Sequence, residues 1–419
     1  MISSAATTNL TPTANVPLAG RGDGARLSQS IADDIEANVI LLPGDPLPVA
    51  IVAVDTLFCS DALHVAIISE LSARHGMALA DLILVASHTH NAPSLDPAKP
   101  RLGQVDCTFF DTTTRRIASA IATALSCEPA DPIMLERATS QCTANVVRRR
   151  RTLRIAPRRP FVEISTQMLP NRHASTPHDL TLILARDQQG DPIWALWQWT
   201  CHATAFCDPL AVSADFPGPV RQHIRNILGS PNLPVVYLPG FAGDVRADAG
   251  RSRFMLRKRM MTPFARPFPD ATKENFDILC AAVCAAIDRA IAGLAPLPSF
   301  TGTAHTKRSA IAFAALMETP RHGEVGLVHV SATPLSFFFM GAETCSPYKA
   351  LLAPLLPPDT LLSGYAGETP LYLPVDTQIA EGGYEVDGFR QSFDLPGNYF
   401  ETIQATVCAA VAALQPTND

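Results

Sequence analysis

The run Leu82-Ile83-Leu84-Val85-Ala86 is apolar at every position and stops abruptly at Ser87-His88-Thr89-His90-Asn91. A run of this kind reads as a buried strand. Its end delivers two imidazoles, two residues apart. Alternation along an extended backbone puts His88 and His90 on the same side. Imidazole is the commonest metal-binding side chain, and this geometry suits one metal ligand plus one substrate-facing partner. Plain packing explains an isolated His-x-His equally well, so the rest of the chain has to decide.

The neighbourhood of that strand is ordered. Residues 39–42 and 48–54 read as adjacent strands, 61–75 as a helix with Leu63, Val65, Ile67, Ile68 and Leu71 on its apolar side, and 108–125 as a second helix. Strand–helix–strand order with short connections argues for parallel pairing. Further on, 180–185 and 193–199 read as a hairpin turning at Gln189-Gly190-Asp191. Helices are expected over 217–228, 273–292 and 401–414, and strands over 132–137, 234–238, 326–331 and 335–340. Residues 145–159 read as an arginine-rich connection. The 36 prolines and 23 glycines exclude a helical bundle. The expected class is α/β in the mixed α+β sense.

Composition bounds the function. At 419 residues, 47% hydrophobic and 17% charged, the chain can bury a large core. A net charge of −6 and 7% aromatics disfavour nucleic acid. Residues 1–16 read as a flexible leader without a secretory h-region, and 17–419 as a single domain. No run of about 18 apolar residues marks a membrane span, so a cytoplasmic location is expected. The ten scattered cysteines read as reduced thiols.

Four polar groups share one context, a strongly apolar strand with a His or Glu at its end: His88, His90, His202 and Glu343. Carboxyl ends of strands are where sheets of this kind collect their sites. Two His and a carboxylate form a recurrent catalytic zinc set.

These blocks resemble the neutral/alkaline non-lysosomal ceramidase family, in its catalytic domain. Ser87-His88-Thr89-His90 with Pro93 is similar to that family's Ser-His-Thr-His-x-x-Pro motif. Trp199 to Thr204 is similar to its His-Pro-Thr strand end, Ser213 to Gly218 to its Ser-x-Asp-x-x-Gly block, and Gly240 to Val245 to its Gly-Asp-Val block. Gly341-Ala342-Glu343-Thr344 and the pair Tyr372 and Tyr384 follow in the family's order. The resemblance implies a layered sandwich of two β-sheets flanked by helices. It implies one Zn²⁺ held by His88, His202, Glu343 and Tyr372. His90, Tyr384 and an arginine would face the substrate amide; Arg148 is the choice among Arg148 to Arg151. Asp215 and Asp244 would support the site through hydrogen bonds to ligating His or to backbone amides. The implied activity is amide hydrolysis of an N-acylated small molecule by a zinc-activated water. The chain departs from the family at Ala203, Met340 and Arg246, the last a long cation where the family carries a small hydroxyl, which puts ceramide itself in doubt.

Two basic stretches stand out, Arg148 to Arg159 and Arg246 to Arg259. They read as solvated surface or, if both flank the site, as a rim for an anionic substrate. Competing readings are a metal-dependent ester or lactone hydrolase on an amidohydrolase-type barrel, and a non-catalytic binding homologue.

Overall fold

The computed structural model describes residues 4–21, 26–127, 133–155, 162–252, 267–298 and 302–414. Its first sheet runs in the order Ser4–Asn9, Glu36–Leu42, Val49–Val54, Asp81–Ala86. The last two strands are parallel and are joined through the helix Asp61–His75, the unit expected from sequence. That helix starts where the Ser60 side chain accepts from the Leu63 N–H, and stops at Gly76 with φ 62. Val39, Leu41, Val52, Val54, Leu82 and Leu84 pack on that helix and on Cys107–Ser126. Ile40, Leu42, Ile51, Ile83 and Val85 point the other way. The His88 strand is therefore covered on both faces.

The second sheet has the order Val235–Pro239, Pro192–Trp199, Asp179–Arg186, Met134–Gln141, Ala295–Pro296. Leu182, Leu184, Trp197 and Trp199 face the helices Pro217–Ile227 and Lys273–Ala292. Ile183, Trp194, Leu196, Val236 and Leu238 meet the inner face of the first sheet. The two sheets thus form the expected sandwich with helices on both outer faces. A third sheet, His305–Ala312, Glu324–Ala332, Leu335–Met340, Leu361–Ser363, adds Val330, Phe337 and Phe339 to the same central core. The architecture is mixed α+β and is not an eight-stranded barrel.

Two expectations change. Residues 1–16 do not form a flexible leader throughout, because Ser4–Asn9 pairs antiparallel with residues 36–41, and the Ser4 hydroxyl donates to the Ala124 carbonyl at 2.7 Å. Backbone hydrogen bonds rather than apolar side chains hold this strand, so its Ser/Ala/Thr composition conceals it. The arginine-rich connection is a strand Asn145–Val147 followed by a ribbon of Arg149–Ile155 and Val162–Met168. Arg158 and Arg159, and Arg253 to Arg259 of the second basic stretch, lie outside the described residues. None of the ten cysteines is in a disulfide. Among the described residues no helix is long and apolar enough to cross a membrane.

Candidate metal centre

All three sheets end in one place. His88 lies two residues past Asp81–Ala86, His202 three past Pro192–Trp199, and Glu343 three past Leu335–Met340. Short bridges lock these ends together. Glu343-Thr344 pairs with Tyr372-Leu373, Glu343 opposite Tyr372. The His202 N–H donates to the Val245 carbonyl at 3.1 Å, and the Gly243 N–H to the Thr344 carbonyl at 2.8 Å. His88, Asp215 and Tyr365 all adopt positive φ (62°, 59° and 58°). Such conformations cost energy in non-glycine residues and gather at functional sites.

The imidazoles share one device. Nδ1 of His88 lies 2.9 Å from the Leu57 carbonyl, that of His90 2.6 Å from the Gly20 carbonyl, and that of His202 2.6 Å from the Ala242 carbonyl. A carbonyl only accepts, so each Nδ1 carries a proton and each Nε2 faces inward. Nε2 of His88 and Nε2 of His90 are 3.3 Å apart. One Glu343 carboxylate oxygen lies 3.3 Å from Nε2 of His88 and 3.1 Å from Nε2 of His202, and that oxygen accepts no hydrogen bond. The Tyr372 hydroxyl is 3.4 Å from Nε2 of His202. His88 and His202 are each 1% exposed and Glu343 2%.

Electrostatics sharpen this. Burial, helped by the Arg148 cation, lowers His202 to about 4, so its ring is neutral at pH 7. Burial, then His88 and His202, pushes His90 well below its ordinary value. Burial alone would raise the Glu343 carboxyl, and only positive charge at the His88 and His202 positions lowers it below its ordinary value. Inward lone pairs and a carboxylate repel in a buried space unless a cation sits among them. Ligand atoms of His88, His90 and His202 lie within 4.8 Å of one another and could hold a metal ion. Two to three imidazoles and one carboxylate, with second nitrogens on carbonyls, suit zinc.

The remaining site residues also converge. Arg148 is buried; its Nε donates to Glu385 at 2.7 Å and its Nη2 to the Tyr372 hydroxyl at 3.2 Å. Its guanidinium sits 5.7 Å from the Tyr372 ring centroid and 5.4 Å from that of Tyr384. Arg149 turns to Glu385 and to the Gln378 and Gly382 carbonyls, while Arg150 and Arg151 continue along the ribbon. Of the four arginines Arg148 is the one that reaches the cluster. Burial raises Tyr372 well above its ordinary value and raises Tyr384 as well, so both phenols are protonated.

Asp215 and Asp244 bond no histidine. Asp215 accepts from the N–H groups of Ala205, Phe206 and Phe216, fixing the loop after His202. Asp244 accepts from the Ser346 N–H and the Gln378 amide, and its carbonyl takes the Arg148 N–H at 2.7 Å. Both accept from backbone N–H groups.

Sequence reading passed over Glu385, the counter-charge to Arg148 and Arg149, although four consecutive arginines call for a buried anion. It also passed over Tyr365, fully buried, whose ring stacks on His88. Nothing in Gly364-Tyr365-Ala366-Gly367 signals that role.

The molecule has a neutral ceramidase-like fold. The crystal structure of neutral ceramidase from Pseudomonas aeruginosa matches with a TM-score of 0.74 at 13% identity, over 98% of this chain and 73% of that one. A structure of a ceramidase complexed with C2 gives 0.72 at 12% identity, over 99% of this chain and 74% of that one. At such identities the likeness is one of fold. No protein-family model matches the sequence, and no curated protein matches it.

Proposed function

We propose that this chain is a zinc-dependent amidohydrolase that cleaves the amide bond of an N-acylated small molecule. The observation that carries the reading is the convergence of the His88 and His202 Nε2 atoms on the Glu343 carboxylate, with Nε2 of His90 3.3 Å from that of His88 and every Nδ1 committed to a carbonyl. His88, His202, Glu343 and Tyr372 would hold the metal. When bound, zinc polarises a carbonyl and lowers the pKa of water toward neutrality.

The chain's own groups supply the rest. His90 is the less buried of the imidazoles, and its neutral Nε2 can accept a proton and return it to the departing amine nitrogen. The protonated Tyr384 hydroxyl donates to the oxygen on which negative charge develops, and the Arg148 cation behind Tyr372 and Tyr384 adds a fixed positive field there. The neutral ceramidase likeness supports an amide substrate.

Metal analysis coupled to hydrolysis of a panel of N-acyl amides tests this. About one zinc per chain, lost together with turnover in His202→Ala, is expected. Full turnover by metal-free protein would overturn the reading, and bound metal with no turnover of any amide would favour a binding homologue.

A further inference from the structure

The arginines around the centre are not equivalent. Arg148 and Arg149 are neutralised by Glu385, and Arg154 by Glu163 on the ribbon. Arg26 donates to the carbonyls of Pro209, Ala19 and His90. Among the described residues these four cations are engaged by the protein itself.

Arg246 differs. It is partly buried, and among the described residues it donates no hydrogen bond and meets no carboxylate. Its recorded contact is the Phe268 ring, 5.1 Å from the guanidinium carbon. Five N–H donors in a rigid fork are left without an acceptor. Arg21 is nearly as free, donating to the Phe206 carbonyl at 2.8 Å. The carboxylate nearest in influence to Arg21, Asp215, already accepts from three backbone N–H groups.

Their anchoring ties both to the site. Arg246 forms a backbone bridge with His202 and follows Val245, whose carbonyl takes the His202 N–H. Arg21 follows Gly20, whose carbonyl fixes His90. An oxyanion placed there would take the unused donors bidentately.

We infer that the substrate carries an anionic group, of the carboxylate class, which Arg246 and Arg21 receive beside the scissile amide. This rests on the amidohydrolase reading and narrows it to acidic N-acyl amides, such as N-acyl amino acids.

The test compares N-dodecanoylglycine, neutral N-dodecanoylethanolamine, and the monoethylamide of dodecanedioic acid, whose charge lies at the acyl end. A charged substrate is expected to exceed the neutral one at least about tenfold in kcat/KM, mainly through KM. Which charged substrate wins tells the side on which the anion lies. The acid-to-neutral ratio should fall about tenfold in Arg246→Gln and in Arg21→Gln, with Arg246→Lys partly restoring it. Equal values for acid and neutral amides, or ratios unmoved in both glutamine variants, overturn the inference while leaving the hydrolase intact. If wild type hydrolyses no amide, calorimetric binding of dodecanoylglycine and dodecanoylethanolamine decides separately. Tighter binding of the acid, lost in the variants, upholds it, and indifference to charge overturns it.

Discussion

Tyr365 lies with its ring stacked on His88, centroids 4.3 Å apart and planes 29° from parallel, while its main chain joins the two strand ends that carry His88 and Glu343. The Ala86 N–H donates to the Tyr365 carbonyl, and the Tyr365 N–H to the Ala342 carbonyl. Among the described residues its hydroxyl has no hydrogen-bond partner, so Tyr365 acts on the imidazole through its ring and backbone, alongside the Leu57 carbonyl at Nδ1. Tyr365→Leu should weaken metal binding about 10- to 100-fold, and Tyr365→Phe should keep it within a few-fold. Chelator competition measures both; equal affinities for the leucine variant and wild type would remove the positioning role.

Two glycines separate the metal from the chemistry. A Cβ on Gly20, at φ +88, would sit 2.6 Å from Nδ1 of His90, and one on Gly243 would sit 2.4 Å from the Glu343 carbonyl oxygen. Gly20→Ala should therefore displace His90 and cost rate while the protein keeps its metal. Gly243→Ala should displace Glu343 and cost metal. His90→Ala should behave like Gly20→Ala. Metal loss in His90→Ala would instead assign His90 to the coordination shell with His88 and His202.

Glu385 is the counter-charge for two buried arginines. Glu385→Gln leaves Arg148 and Arg149 without their carboxylate and is expected to destabilise the fold by about 3–5 kcal/mol. Urea unfolding would show this as a lower midpoint with an unchanged slope.

Asp33 governs one pH window. Burial raises its pKa to about 6, despite hydrogen bonds from the Ser213 hydroxyl and the Ala214 N–H. Between about pH 4 and 6 the unfolded chain releases this proton while the folded chain keeps it, so stability falls as pH rises through the window and then levels off. The change is at most about 2–3 kcal/mol. Asp33→Asn keeps the acceptor for the Ala214 N–H, turns its amide to donate to the Ser213 hydroxyl, and should abolish that slope in unfolding free energies measured at pH 4.5 and 7.

Removing residues 1–9 uncovers residues 36–41 as a sheet edge. Such an edge invites pairing between molecules, and light scattering on warming should report earlier aggregation than in the intact chain.

The strand-end cluster of His and Glu was legible because apolar runs that end in His or Glu are local in sequence. The helix Asp61–His75 was legible for the same reason, with Leu63, Ile67 and Leu71 buried as expected and Val65 and Ile68 exposed against expectation. What escaped depends on partners distant in sequence. The Ser4–Asn9 strand is held by a ladder to residues 36–41, which no side-chain pattern reveals. Tyr365 and Glu385 acquire their roles only when separate elements bring His88 and Arg148 to them. The arginine-rich connection hid an alternation that buries Arg149 and leaves Arg151 exposed.

The three histidines take their orientation from main-chain carbonyls of Leu57, Gly20 and Ala242 rather than from carboxylate or amide side chains. A carbonyl is supplied by any amino acid, so codon changes at Leu57 or Ala242 that keep the loop's path leave the ring orientation untouched. Only at Gly20, where a methyl group would strike the ring, is the residue type itself constrained. A centre built this way can survive extensive genetic drift, and it offers little for sequence comparison to detect beyond the ligands themselves.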